Sequence, residues 1–453
     1  MSPTPPSGPL SDPDEDSPTQ LLRLALLSVA VGVTTGAVAT AFRVILKAAD
    51  LARTRWLSEP DSRTLLRFLA TVAVISTAAA LAAWMVRRFA PKAAGSGIPQ
   101  VEAAVAGDAA PAGPSILPVK FFGGILAIGG GLALGREGPS VQMGATLGTL
   151  TGRLFRLGRS DTLALLAAGA GAGLATAFNA PIAGAVLVLE EIVRRYDPRI
   201  ALAALGASGG AIAVSRPLLG QAPDFAVAPI AFPGPASGVS FLILGLVCGL
   251  AGVGYNRLLL AVLAFAGRLK RIPVELRAAA VGILVAVVGW IHPDWIGGGE
   301  AVSHQALTVG YNGSILPVLL GTRLLLSLLS YGAGTPGGLF APLLAIGSLV
   351  GLLVSRVCHG LNPHLLAPDT AFALVGMGAL FVAVVRAPAT GLVLITELTG
   401  NVTLLLPMLA ACFVAMLVPA LLRCAPIYDS LRDRSPSPET AAPRVADNTR
   451  RPD

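Results

Sequence analysis

The residues best placed to do chemistry are Arg136 and Glu137, which stand between glycines in the string Gly135-Arg136-Glu137-Gly138-Pro139-Ser140, with long apolar runs on both sides. An ionisable pair at membrane depth is costly, and where one occurs it marks an ion or proton pathway by default. The Gly-x-x-Gly-Pro pattern ends one helix and starts another. Pro139 suits a first turn, where its missing N–H would have no partner anyway. The string therefore predicts a helix N-terminus inside the bilayer, with free amides beside a carboxylate. Such a terminus attracts anions. Glu137 is itself an anion at that place. Ionised, it can occupy and block the site; protonated, it is neutral and can swing away, which couples anion passage to proton occupancy. Arg136 is expected to shape the field or support the structure, with pairing to Glu137 as the simplest local alternative.

Two other stretches share this grammar. Gly95-Ser96-Gly97-Ile98-Pro99 predicts a short helix restarting at about Pro99, and Ser96 offers a hydroxyl that could also serve as an N-cap. Gly338-Leu339-Phe340-Ala341-Pro342 has apolar side chains at its centre, so any ligand contact there falls to backbone N–H groups. Three helix starts that offer amides without fixed full charges suit a monovalent anion that must bind and then leave. Glu190 and Glu191 are a second acidic candidate. Neighbours on a helix point about 100° apart, so at most one of them faces a pathway. Salt bridges four residues on, from Glu190 to Arg194 and from Glu191 to Arg195, are the alternative use. Tyr428, after the last apolar run, reads by itself as an interfacial aromatic anchor.

The elements that must position these residues are membrane helices. Of 453 residues 54% are hydrophobic and 13% charged, against ~25% charged in soluble domains, and the mean hydropathy is +0.73. Apolar runs of about twenty residues recur between 21 and 422, the length of a membrane span. With 52 glycines and 35 prolines, close helix packing and broken helices are expected. The net charge of +8 is concentrated at span ends, as in Arg87-Arg88 and Arg194-Arg195, which reads as topology and lipid contact and excludes a nucleic-acid binder. Cys248, Cys358, Cys412 and Cys424 share no ligand spacing with His292, His304, His359 and His364, so neither a metal nor a cofactor is expected. A first helix is expected over 21–49, with Gly32 and Gly36 as a small-residue face and Phe42-Arg43 closing its apolar stretch. The proline-rich segment 218–237 is expected outside the membrane. The polar ends, 1–20 and 433–453, read as disordered cytoplasmic tails.

The membrane part, 21–432, reads as two repeats, roughly 21–217 and 238–432. Ser115-Ile116-Leu117-Pro118-Val119 recurs as Ser314-Ile315-Leu316-Pro317-Val318, and Ala180-Pro181-Ile182-Ala183-Gly184 as Ala387-Pro388-Ala389-Thr390-Gly391. Each later proline is followed nine residues on by a glutamate, Glu190 or Glu397. Duplicated membrane proteins with interrupted helices place their site where the repeats meet. The duplication alone leaves parallel and inverted arrangements open.

These motifs resemble the CLC family of chloride channels and chloride/proton exchangers, of prokaryotic exchanger-like type. The resemblance rests on Gly95–Pro99, Gly135–Pro139, Gly338–Pro342, the Asn179-Ala180-Pro181 break and Tyr428, and covers nearly the whole membrane part. It implies an all-α polytopic membrane protein with a CLC-type inverted-repeat fold of many tilted and broken helices, a transporter and not an enzyme. It implies a homodimer in the cell inner (plasma) membrane, both termini cytoplasmic, each subunit carrying its own pathway for chloride and protons. By the same resemblance Ser96 and Tyr428 coordinate a dehydrated anion, completed by the amides of Leu339 and Phe340. Glu137 is the external gate and proton acceptor, Glu191 the internal proton-transfer residue, and Gly95, Gly97, Pro99, Arg136, Gly138 and Pro139 are supporting residues. Lys120 also matches prokaryotic exchangers. Serine at 96 favours chloride, where nitrate-exchanging relatives carry proline and fluoride exporters methionine. Retention of Glu191 favours antiport. A passive chloride channel of the same fold is the alternative, and a cation-coupled solute transporter the alternative from another class.

Overall fold

The computed structural model describes residues 17–59, 64–234, 237–361 and 367–434. His364 and most of the two expected tails lie outside these residues. The described part of the first tail is already helical: α1 spans Pro18–Ser58, and the Ser17 hydroxyl caps it by accepting from the Gln20 amide. Seventeen α-helices are present among the described residues.

Seven of them are long and apolar enough to cross a membrane. Five have fewer than half of the residues in their apolar windows buried: α1, α2 (Leu65–Phe89), α8 (Pro198–Leu219), α9 (Gly238–Arg268) and α10 (Val274–Ile291). The other two, α6 (Arg159–Phe178) and α13 (Phe340–Leu361), are mostly buried. A helix apolar on all sides belongs inside a bundle or a membrane, and the Ala/Gly-rich α6 satisfies that rule by being surrounded.

The first helix runs past the expected end at 49 to Ser58, and Arg43 does not interrupt it. The guanidinium is paired inside the protein, donating to the Thr176 carbonyl at 3.1 Å and to Asp224, so the charge gives no reason to leave the helix. Further up, the expected small-residue face is used. A Cβ at Gly32 would lie 2.1 Å from the Ala207 carbonyl oxygen of α8, and one at Gly36 2.6 Å from that of Ala211. Only the absence of a side chain lets the two backbones approach so closely.

Between the spans lie the broken helices. α3 (Ile98–Ala106) and α5 (Glu137–Leu154) follow the first two glycine motifs. α4 (Ile116–Gly124) loosens into a π-helical turn over Ile125–Gly129, and α7 (Pro181–Leu187) into another over Val188–Ile192. In the second half α11 (Glu300–Thr308), α12 (Leu316–Gly332), α14 (Asp369–Val385) and α15 (Pro388–Thr399) lead to α16 (Leu405–Leu421) and the short α17 (Ile427–Arg432).

The duplication is written into the backbone. α6 ends at Asn179 and α14 at Arg386, both in the left-handed region with φ of 54° and 73°. Ala180 and Ala387 follow with φ/ψ of −125°/80° and −111°/80°, and a proline then opens α7 or α15. The two glutamates nine residues on exchange places. Glu190 accepts from the Ala389 and Thr390 amides at 2.9 and 2.6 Å, capping α15; Glu397 accepts from the Ile182 and Ala183 amides at 3.1 and 2.8 Å, capping α7. A residue near the end of each helix can cap the start of the other only if they run antiparallel, as in an inverted repeat.

Candidate functional site

Two short backbone ladders draw the glycine motifs together. The Gly95 amide donates to the Thr335 carbonyl and the Gly337 amide to the Gly95 carbonyl, each at 3.0 Å. Gly135 and Gly338 exchange both amide bonds, at 2.8 and 2.7 Å. The starts of α3, α5 and α13, two from the first half of the chain and one from the second, are thereby locked to one another. Glycine is required twice over. Gly97 has φ of +88°, a conformation that costs most other residues dearly. At Gly138 a Cβ would stand 2.5 Å from the Ser96 carbonyl oxygen and 2.7 Å from its Oγ, so the first turn of α5 lies directly on Ser96.

Ser96 is 1% exposed and Tyr428, on α17, 0%. Their hydroxyls lie near each other, but neither makes a hydrogen bond of ordinary geometry among the described residues. Buried hydroxyls are normally bonded. Leu339 and Phe340 are buried beside them, the Phe340 ring 6.2 Å from that of Tyr428 and packed edge-on against Phe381. Tyr428 is thus a core residue and not the surface anchor that its position after the last span suggests. Tyr331, absent from the sequence reading, accepts from the Ser96 amide at 3.4 Å.

Glu137 is the first residue of α5 and is fully buried. Its carboxylate fills the space over the Cα atoms of Gly135 and Gly338, has no hydrogen-bond partner among the described residues, and faces the amide of Ala341 in the first turn of α13. Pro139 falls in the first turn of α5 and Pro99 in that of α3, as expected. Arg136 makes no ion pair with Glu137. It donates to the Ala177 carbonyl at 2.9 Å and pairs with Asp224 at 3.1 Å and Glu300 at 2.5 Å. Asp224 comes from the segment expected outside the membrane. That segment folds back far enough for Asp224 to hold both Arg43 and Arg136, and for the Phe225 amide to bond the Leu398 carbonyl.

Lys120 is fully buried, its ammonium bonded to the Gly95 and Ser96 carbonyls at 2.7 and 3.1 Å. Arg323 of α12, likewise buried, bonds the Trp295 and Gly297 carbonyls at 3.0 and 2.9 Å. Gly297 and Gly299 have φ of 75° and 102° and precede the nine-residue α11, just as Gly95 and Gly97, at 66° and 88°, precede the nine-residue α3. The second half therefore repeats the first motif as well, with a cation pinning the carbonyls each time. The spacing Gly-x-Gly was the available signal in the sequence.

Neither of the alternative i,i+4 bridges forms, because the π turn over 188–192 changes which side chains meet. Glu190 caps α15 instead. Glu191, 4% exposed, takes Arg194 three residues on at 3.1 Å. Arg194 also pairs with Asp429 of α17 at 2.6 Å and lies 3.8 Å from Glu102 of α3. Glu102 is 2% exposed and both its carboxylate oxygens lack a hydrogen-bond partner among the described residues. A lone charge inside a short apolar helix was the signal for it.

The family model for voltage gated chloride channels matches residues 78–420, which hold every motif above except Tyr428. The chain belongs to this family, the CLC family. It is 38% identical over 422 residues to the H(+)/Cl(-) exchange transporter ClcA of Vibrio parahaemolyticus serotype O3:K6 (strain RIMD 2210633), covering 90% of this chain and 89% of that one. It is 38% identical over 427 residues to ClcA of Vibrio cholerae serotype O1 (strain ATCC 39541 / Classical Ogawa 395 / O395), covering 93% and 91%. Among solved structures, a slow cyanobacterial Cl-/H+ antiporter superposes with a TM-score of 0.86 at 33% identity, over 91% of this chain and 97% of that one. The fold is that of a CLC transporter, and the chain is a multi-span membrane protein.

Proposed function

We propose that the protein exchanges chloride for protons across the membrane, as its CLC relatives' names state for them. The observation that carries this reading is the pair of buried hydroxyls on Ser96 and Tyr428, left unpartnered where three helix starts meet. Hydroxyl donors, the amides of Leu339 and Phe340 and the helix-start fields suit one dehydrated chloride. Glu137 is the gate: its carboxylate lies among the same amides, takes their place against an anion when ionised, and carries a proton when it withdraws. Glu191 passes protons on the opposite side of the anion site, Arg194 holding its carboxylate. Lys120 and Arg136 fix the loop before α3 and the start of α5 without offering a full charge to the ion.

The same reading takes the protein as a homodimer in the inner membrane with both termini cytoplasmic. In support, the face formed by α7 and α15 carries half-buried Glu190 and Glu397 beside Ile182, which is 56% exposed. Carboxylates facing hydrocarbon are costly, and a second copy would cover them.

The deciding experiment reconstitutes the protein in liposomes and records chloride and proton movement together. An outward chloride gradient is expected to draw protons in against their own gradient. Chloride flux without proton movement would identify a passive channel instead.

A further inference from the structure

Arg194 touches both the internal acid and the helix bearing Tyr428. Its Nη2 pairs with Glu191 at 3.1 Å and its Nη1 with Asp429 at 2.6 Å. Its Nε also donates to the Glu191 carbonyl at 3.1 Å. Asp429 directly follows Tyr428 in α17, a six-residue helix. Arg194 adopts φ of 56°, a conformation rare for a residue with a long side chain and retained where the surroundings impose it. The strained backbone directs the guanidinium back between the two carboxylates. A cavity of about 550 Å³ opens beside the cluster, lined by Glu102, Arg194, Arg195 and Arg432 among others, so protons can reach it through water.

We propose that Arg194 and Asp429 are positioning residues that transmit the charge state of Glu191 to the anion site. With Glu191 ionised, Arg194 divides its attraction between Glu191 and Asp429. With Glu191 protonated, one of those attractions is lost, and Arg194 is left to Asp429 and to Glu102 at 3.8 Å. The pull on α17, and hence the placement of Tyr428, differs between the two states. Such a link is reciprocal: chloride held by Tyr428 must alter the proton affinity of Glu191 by the same factor. This inference rests on the transport reading above, in which Tyr428 holds chloride and Glu191 carries protons.

The groups facing Arg194 are Glu191 after α7, Glu102 on α3 and Asp429 on α17, with Arg432 3.9 Å from Asp429. Glu137 would dominate any pH dependence, so the test is made in Glu137→Gln protein. Chloride affinity is measured by calorimetry from pH 5 to 8 and is expected to change by about fivefold, the lower end for coupled sites, because Arg194 is partly exposed. Adding Asp429→Asn, or Glu191→Gln, is expected to flatten the profile. An Asp429→Asn profile parallel to its parent's, displaced or not, overturns the proposal, as does flattening by Glu102→Gln but not by Glu191→Gln. Amide exchange across α17 supplies a readout independent of chloride: its protection should depend on pH in the parent and not with Asp429→Asn, and pH-independent protection in the parent refutes the link. Absence of chloride binding in the parent at every pH would count against the transport reading, and the exchange result would still decide this one.

Discussion

Gly138 offers the sharpest test of how the site is assembled. It occupies the first turn of α5, where alanine is a better helix former than glycine by about 1 kcal/mol, so Gly138→Ala costs nothing in local backbone preference. The cost comes entirely from contact. The added Cβ would sit 2.5 Å from the Ser96 carbonyl oxygen, 2.7 Å from Oγ and 2.8 Å from Cα. Rotating the Ser96 side chain relieves only one of these, and the Ser96 carbonyl is tied to Lys120. Either the loop before α3 or the start of α5 must retreat by roughly 0.7–0.9 Å to reach ordinary contact distance. Overpacking of this kind costs about 1–3 kcal/mol. If half of it appears as misplacement of the Ser96 hydroxyl, chloride binding should weaken by about two- to twelvefold. The assay is calorimetric titration of chloride in detergent, with thermal unfolding measured alongside. Gly254→Ala on α9, where nothing lies within 4 Å of the new Cβ, serves as the control and should bind as the parent does. A folded Gly138→Ala protein with parental chloride affinity would refute the claim that the Ser96–α5 contact sets the anion site.

Three further outcomes are expected. Glu137→Gln should abolish proton movement in the liposome assay while chloride flux persists; continued proton pumping would remove Glu137 from its assigned role. Lys120→Met would leave the Ser96 carbonyl unpaired in the core, the Gly95 carbonyl keeping the Gly337 amide, at about 1–3 kcal/mol, read as early thermal unfolding and weakened chloride binding; a stable variant with normal affinity would contradict it. Glu190→Gln and Glu397→Gln each weaken two charge-assisted bonds to a helix start, at about 1–2 kcal/mol apiece. The caps hold opposite ends of one antiparallel pair, so the double variant should be roughly additive in thermal stability, and a neutral single variant would show the caps to be idle.

The start of each motif helix could be read from sequence because glycine and proline act locally: a positive φ or a missing N–H has the same consequence in any surroundings. The α6–α7 and α14–α15 breaks were legible for that reason. What could not be read were partners brought in by tertiary packing. Asp224 sits in a proline-rich segment whose composition says loop, and nothing local reveals that it folds back to hold Arg43 and Arg136. The partners of Glu190 and Glu191 are not those a regular α-helix would supply, because the chain over 188–192 is π-helical. Tyr428 shows the same limit: the hydropathy of its surroundings points to an interface, and only packing against Phe340 makes it part of the core.

The two backbone ladders also bear on how the protein is made. Arg136 is neutralised by Asp224 and Glu300, the Gly135 amide and carbonyl are paired by Gly338, and the Gly95 amide by Thr335. All of these partners lie downstream in the chain. A ribosome working from the N-terminus therefore delivers α3, α4 and α5 to the membrane with charges and backbone groups that hydrocarbon cannot satisfy, long before α13 exists. The first half must wait in a wet or protein-lined setting during biogenesis, and the anion site comes into being only when the second half arrives to close it.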